Sequence, residues 1–182
     1  LDVDPSHEGA LRGLERLYRA SKRWEELLRT YERHIDSTPE RTEKVRLLKA
    51  TAEVHRDELS DPDRAVDALL DAHAIDDDDE ETLRGLAGLY ERREEYASAL
   101  DFLQRLARVV ENPAQQVELR HRIGAILDER VGDRDAAIEQ FQAALDLDPG
   151  DRPSLASMRR IHIDGGEWGA AARVLEQEAL QT

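Results

Sequence analysis

Leu11-Arg12-Gly13-Leu14-Glu15-Arg16-Leu17-Tyr18 returns as Leu83-Arg84-Gly85-Leu86-Ala87-Gly88-Leu89-Tyr90, 72 residues further on. Self-similarity at a fixed spacing marks an array of supersecondary units in place of one globule. Within the first copy, Leu11, Leu14, Leu17 and Tyr18 recur at helical spacing, and Leu27, Leu28, Tyr31 and Ile35 do the same after it. The first unit therefore reads as two helices, roughly 6–20 and 23–36, joined at Ser21-Lys22.

The same pattern continues outward. Thr38-Pro39-Glu40 reads as a helix start, with threonine capping free N–H groups, proline in the first turn and glutamate at the positive end of the dipole. That helix is expected to run to about Glu58. Asp61-Pro62 repeats the signal and opens a helix with Ala65, Leu69, Ala72 and Ile75 inward. The acidic run from Asp76 to Glu81 fits a solvated turn and the helix N-terminus that follows. A third unit covers 78–93 and 95–110. Asn112-Pro113 caps a fourth, with helices 113–130 and 134–146 on either side of Gly132-Asp133. The fifth opens near Asp151, turns at Gly165-Gly166 and closes with Trp168, Ala171 and Leu175.

Unit ends at Pro5, Pro39, Asp77, Glu111 and Pro149 give spacings that alternate between 34 and 38, so the true period is a pair of hairpins. The units span about 6–38, 39–76, 77–111, 112–149 and 150–182, as one array over 1–182. Asp4-Pro5 is similar to Asp148-Pro149, which ends a helical pattern. Residues 1–5 therefore read as the tail of a helix begun earlier, and the chain as part of a longer protein.

Aligning the units gives columns. A mostly small column reads Leu27, Ala65, Ala99, Ala137, Ala171; four residues on, a large one reads Tyr31, Leu69, Leu103, Phe141, Leu175. Small against large lets helices approach and interdigitate. With Tyr18 and Tyr90, and with Gly132-Asp133 followed by Ala137, Phe141, Ala144 and Asp148-Pro149, these columns resemble the tetratricopeptide repeat over essentially the whole chain. The glycine usual in the first helix survives only as Gly124, and His34 and Glu178 stand where small residues are usual. The resemblance implies an all-α, right-handed superhelix of about five antiparallel hairpins, whose first helices line a concave groove for peptides or partner proteins. It implies a non-catalytic scaffold without cofactors.

Composition agrees. Hydrophobic residues are 40% and charged residues 37%, enough for a thin repeat core and too few for a thick globular one. A formal net charge of −15 repels nucleic-acid phosphate and anionic membranes. No apolar run reaches membrane-spanning length. The absence of cysteine removes disulfides, thiolate zinc sites and cysteine nucleophiles and permits any compartment; a cytoplasmic location is the expectation. Arginine far outnumbers lysine, which is present only as Lys22, Lys44 and Lys49 and points to a GC-rich bacterial source.

Catalytic and metal motifs are missing from the sequence. His7, His34, His55, His73, His121 and His162 are scattered without a zinc-binding pair, so packing is the simpler role for them. Asp76–Glu81 fails as a calcium loop, because the sixth place needs glycine and holds Glu81, and the twelfth needs glutamate and holds Ala87. Of the aromatics, Trp24, Tyr96 and Trp168 form a column at the start of the second helices, which assigns them to packing and leaves little for base stacking.

The first helices carry the candidate site. Side chains expected to face the groove are Arg12, Arg16, Arg19, Arg46, Lys49, Glu53, Arg56, Asp57, Glu81, Arg84, Glu91 and Arg92 in the first three units, eight basic against four acidic. In the last two they are Glu118, His121, Arg122, Asp128, Glu129, Arg160 and Asp164, two basic against four acidic. The N-terminal half is thus expected to be locally positive and to receive an acidic or carboxylate-ended peptide through bidentate arginine contacts. The competing account is that these arginines pair with carboxylates along and between helices. The family's chaperone-binding members hold a terminal carboxylate with lysines and asparagines over three units. Here those places offer Arg12 and Arg16, then Ala50, then Glu81 and Gly85, so that partner does not carry over. The alternatives to a free-standing scaffold are a recognition or regulatory arm of a larger enzyme, or an RNA-binding helical-repeat module.

Overall fold

The computed structural model describes residues 8–180, and the reading of residues 1–5 as a helix tail lies outside them. Among the described residues all regular structure is helical: α1 (Glu8–Ala20), α2 (Trp24–Ser37), α3 (Arg41–Glu53), α4 (Pro62–Ile75), α5 (Glu80–Arg92), α6 (Tyr96–Val109), α7 (Pro113–Ile126), α8 (Arg134–Leu147), α9 (Arg152–Asp164) and α10 (Trp168–Leu180). Two compact units divide after Leu89. Each is built from consecutive helices that double back on one another through short turns.

The long units differ from the expected plain helix in their last turn. α3 ends in a π-helical turn, Val54–Glu58, and α7 in another, Leu127–Val131. Four extra residues exceed one α-turn by about 0.4 residue, and a wider last turn absorbs that remainder before the chain reverses. The helix does reach Glu58, as its periodicity predicts.

The reversal itself is uniform. Lys22, Ser60, Glu94, Gly132 and Gly166 all have positive φ, between 53° and 82°, and each follows the first helix of its hairpin. The next residue's N–H closes the turn onto a carbonyl near the helix end, as in Arg23 to Tyr18 (2.9 Å), Glu95 to Tyr90 (3.0 Å) and Glu167 to His162 (2.8 Å). Only two of the five positions hold glycine. A side chain in the left-handed region costs on the order of 1 kcal/mol, so Glu94→Gly should stabilise the chain by about 0.5–1 kcal/mol net of unfolded-state entropy. A shift of the urea midpoint to lower concentration would contradict this.

Starts follow the sequence with one exception. Asp61 accepts from the Arg64 amide at 3.2 Å, Asn112 from the Ala114 and Gln115 amides at 3.0 and 3.3 Å, and Asp151 from the Ser154 amide at 3.0 Å. Thr38 does not cap α3. It is extended after α2, its hydroxyl accepts the Glu40 N–H at 3.3 Å, and the helix begins at Arg41. The residue before a proline is held out of the helical region, and here the chain stays extended through Glu40.

The small column is buried throughout, and Tyr31, Leu69, Leu103 and Phe141 of the large column are buried with it. In the first unit Leu27, Tyr31, Leu47, Ala50 and Val54 form one cluster, with Tyr18, Trp24, Leu28 and Ile35 against it. A second cluster joins Val45, Leu48 and Ala72, flanked by Ile35 and Ile75. Two expectations fail at the end of the second unit: Leu175 is 47% exposed and Trp168 69% exposed. Both lie on α10, after which no further described helix supplies the covering face that buries the matching positions elsewhere. Trp24 and Tyr96 of the same column are half-buried, the latter beneath the Arg130 guanidinium.

Candidate interaction surface

The first-helix face of the first unit is built from α1, α3 with its π turn, and the part of α5 up to Leu89. Along it stand the arginines and lysine named from the sequence: Arg12, Arg16 and Arg19 on α1, Arg46 and Lys49 on α3, Arg56 on the π turn and Arg84 on α5. Carboxylates pair with most of them, Asp57 and Glu81 as the sequence reading has them and Glu8, Glu15, Glu43, Asp79 and Glu80 in addition. Arg12 meets Glu8 at 2.6 Å and Glu43 at 3.6 Å; Arg46 meets Glu43 at 2.8 Å and Glu15 at 3.5 Å. Lys49 meets Asp79 at 3.1 Å and Glu81 at 2.6 Å, Arg56 meets Asp57 at 2.7 Å, and Arg84 meets Glu80 at 2.7 Å. Arg19 donates to the Tyr31 hydroxyl at 2.8 Å, and Arg16 to the Arg12 carbonyl at 3.4 Å.

Depth distinguishes these pairs. Glu15 and Glu43 are 12% and 16% exposed, whereas their partners Arg46 and Arg12 are 48% and 52% exposed. Glu15 and Glu43 form a lower layer beneath the guanidiniums of Arg46 and Arg12, while Glu8, the nearer partner of Arg12, is 64% exposed and stands level with it. His34, fully buried on α2, anchors the lower layer: its Nδ1 lies 2.6 Å from Glu15 Oε1, and its Nε2 lies 3.8 Å from Glu43 Oε1. Hydrogen bonding to Arg46 holds the Glu43 carboxyl below the usual carboxylate range and raises Arg46 in turn. Arg19, raised by its bond to Tyr31, feels the opposing charges of Glu53 and Arg46, which places it beside the same cluster.

Further along the face the layering disappears. Lys49 is mostly covered, and Arg84 and Glu80 are equally exposed. Burial alone would lower the Lys49 pKa, and its hydrogen bonds to Glu81 and Asp79 reverse that and raise it. Asp79 caps α5, accepting from the Thr82 amide at 2.8 Å and hydroxyl at 2.6 Å. Burial works to raise Asp79, and the Thr82 and Lys49 hydrogen bonds outweigh it, so this carboxyl titrates below its ordinary value. The acidic run is therefore a helix start, and two of its members, Asp79 and Glu81, neutralise Lys49. Because Asp79 and Glu43 are both depressed, the stability they contribute is present above about pH 4 and is lost as pH falls through their folded-state values. Asp79→Asn should flatten that acid limb in a pH series of thermal melts. An unchanged limb would contradict the assignment.

In the second unit, Arg122 meets Glu91 at 2.8 Å, and Arg92 is exposed on the last turn of α5. Asp128, expected in the groove, has a buried side chain that holds Arg160 at 2.6 Å and Arg134 at 3.7 Å. His121 packs its ring against Phe141 at 5.5 Å. Gly124 faces the same ring: a Cβ there would lie 2.6 Å from the Phe141 Cε1. His162 bonds Glu167 at 2.6 Å across its hairpin turn. Ala50 is buried, and Gly85 lies against Leu69, so the chaperone-clamp places are occupied by packing. Among the described residues no helix is long and apolar enough to cross a membrane, and no three His, Cys, Asp or Glu side chains gather as a metal site.

Fold and columns together define a helical-repeat protein. Residues 10–45 and 82–117 match the tetratricopeptide repeat family model, two windows whose starts lie 72 residues apart, so the chain carries tetratricopeptide repeats at both places. Among solved structures it is similar to MamA, with 18% identity over 95% of this chain and 90% of that one and a TM-score of 0.64. It is also similar to MamA 41-end from Desulfovibrio magneticus RS-1 (16%, 100% and 97%, 0.57) and to Pseudomonas aeruginosa pilF (17%, 96% and 76%, 0.57). At these identities the likeness concerns the fold. No curated protein matches the sequence. The repeats support a protein-interaction scaffold.

Proposed function

We propose that the chain is a non-catalytic scaffold whose α1–α3 face receives an acidic or carboxylate-ended segment of a partner protein. The observation that carries this is the layering of charge: Glu15 and Glu43 lie low, and Arg12 and Arg46 lie above them, half open to solvent. Arg16, which among the described residues donates to the Arg12 backbone carbonyl, sits beside Arg12 one turn along α1. A peptide carboxylate approaching from solvent meets the Arg16 and Arg46 guanidiniums above the low acids, and takes the place of the exposed Glu8 on Arg12, in bidentate contacts. Lys49, Arg56 and Arg84 are already neutralised and serve mainly as structure, while Arg92 and Arg122 stand on the other unit.

The test uses an acidic peptide with a free C-terminal carboxylate and a twin in which every carboxylate is an amide. The acidic peptide should bind at low salt, weaken as salt rises, and bind at least tenfold more tightly than its twin. Equal binding of the two would refute the assignment.

A further inference from the structure

The opposite side of the first unit holds a second feature. Between α2 and α4 runs an open groove of about 710 Å³. These are the second helices of consecutive hairpins, so they run parallel and form two walls, with α3 and its π turn as the floor. Leu28, Ile35, Leu48 and Leu59 give it an apolar lining, and Leu59 is 40% exposed. His55, buried in the floor and lowered in pKa chiefly by burial, has an Nδ1 without a hydrogen-bond partner.

The walls carry Glu32 and Asp36 on α2 and Asp67 and Asp71 on α4, all exposed. Each pair is spaced four residues apart, and like charges at that spacing destabilise a helix. The two rim arginines do not offset them, since Arg29 pairs with Glu25 and Arg64 with Asp61, both at 3.5 Å. Nor is the pattern a demand of the repeat. Seventy-two residues on, the four positions read Gln104, Arg108, Glu139 and Ala143. The first unit alone places two unfavourable acid pairs along an apolar trough.

We infer that this groove docks a basic amphipathic helix of a partner protein, with its apolar residues on Leu28, Ile35, Leu48 and Leu59 and its Lys or Arg side chains reaching Glu32, Asp36, Asp67 and Asp71. Opposite charge along both walls fixes the register, and the trough accepts the apolar stripe. This site is independent of the α1–α3 face.

The probe is a labelled amphipathic peptide of about 15 residues, with leucines at helical spacing and arginines on both flanks, titrated into the full chain by fluorescence anisotropy. The key variant is Asp36→Lys with Asp71→Lys. It converts each acid pair into a favourable Glu-to-Lys or Asp-to-Lys pair, so the fold is retained and its melting temperature should rise. The wild type should bind, and the variant should bind at least tenfold more weakly, while Arg12→Glu with Arg16→Glu binds as the wild type does. The inference is overturned if the wild type fails to bind, if the variant binds equally, if a twin peptide with glutamate flanks binds as well, or if spermine binds as tightly as the peptide.

Discussion

Phe141→Ala should lower the stability of the chain by about 3–5 kcal/mol, the usual cost of emptying a fully buried aromatic site. Phe141 has no exposed surface, its ring lies against His121, and it fills the space over Gly124. The backbone of α7 approaches it so closely because residue 124 has no side chain. A methyl group there would meet ring carbons at 2.6, 2.9 and 2.9 Å, and Gly124→Ala should therefore cost about 1–3 kcal/mol by overpacking. The two changes share one space and must couple. In a Phe141→Leu background, Gly124→Ala should cost clearly less than it does alone. Urea unfolding of the four proteins of this cycle, and of Phe141→Ala beside them, checks this. Additive costs, or a loss below about 1 kcal/mol for Phe141→Ala, would contradict the packing described for α7 and α8.

Arg12→Glu with Arg16→Glu should weaken binding of the acidic peptide by about 100-fold at low salt. Each charge-assisted hydrogen bond to a carboxylate contributes about 1.5–3 kcal/mol, and about 1.4 kcal/mol is tenfold in affinity. Both side chains are exposed on α1, and among the described residues Arg16 meets a backbone carbonyl alone, so the fold should survive, as circular dichroism would show. Arg84→Glu is the matched control. Its partner Glu80 is as exposed as Arg84 itself, and the change should cost less than about threefold. A loss at Arg84 equal to that at Arg12 and Arg16 would mean that simple net charge, and not the layered α1–α3 surface, governs binding.

Helix positions, the 72-residue period and the buried columns are legible in the sequence because each depends on side-chain periodicity. Gly124 is legible as the family's first-helix glycine, but its place against Phe141 is not. The π turns are not, since they are a backbone response to four inserted residues and carry no composition of their own. Of the five left-handed turn residues only Gly132 and Gly166 announce themselves; Lys22, Ser60 and Glu94 reach the same φ because the hairpin closure imposes it. Trp168 and Leu175 follow the columns yet stay exposed, because burial is set by a neighbour and not by the residue.

The candidate face was half legible. Helical spacing finds the arginines of α1, α3 and α5. It cannot say that Glu15 and Glu43 sit beneath them, because those acids come from helices whose relative rotation depends on packing around His34. Nor can it see the α2–α4 trough, which exists only once two hairpins stand side by side.

The central claim is that a partner's acidic segment lies on the α1–α3 face of the first unit. Nitrogen-15 NMR of the full chain, recorded while the acidic peptide is added, tests it most directly. Shift changes should concentrate on α1 and α3, with the Arg12, Arg16 and Arg46 side-chain Nε–H signals moving in step with saturation. Changes confined to the α2 and α4 walls, or to residues beyond Leu89, would contradict it.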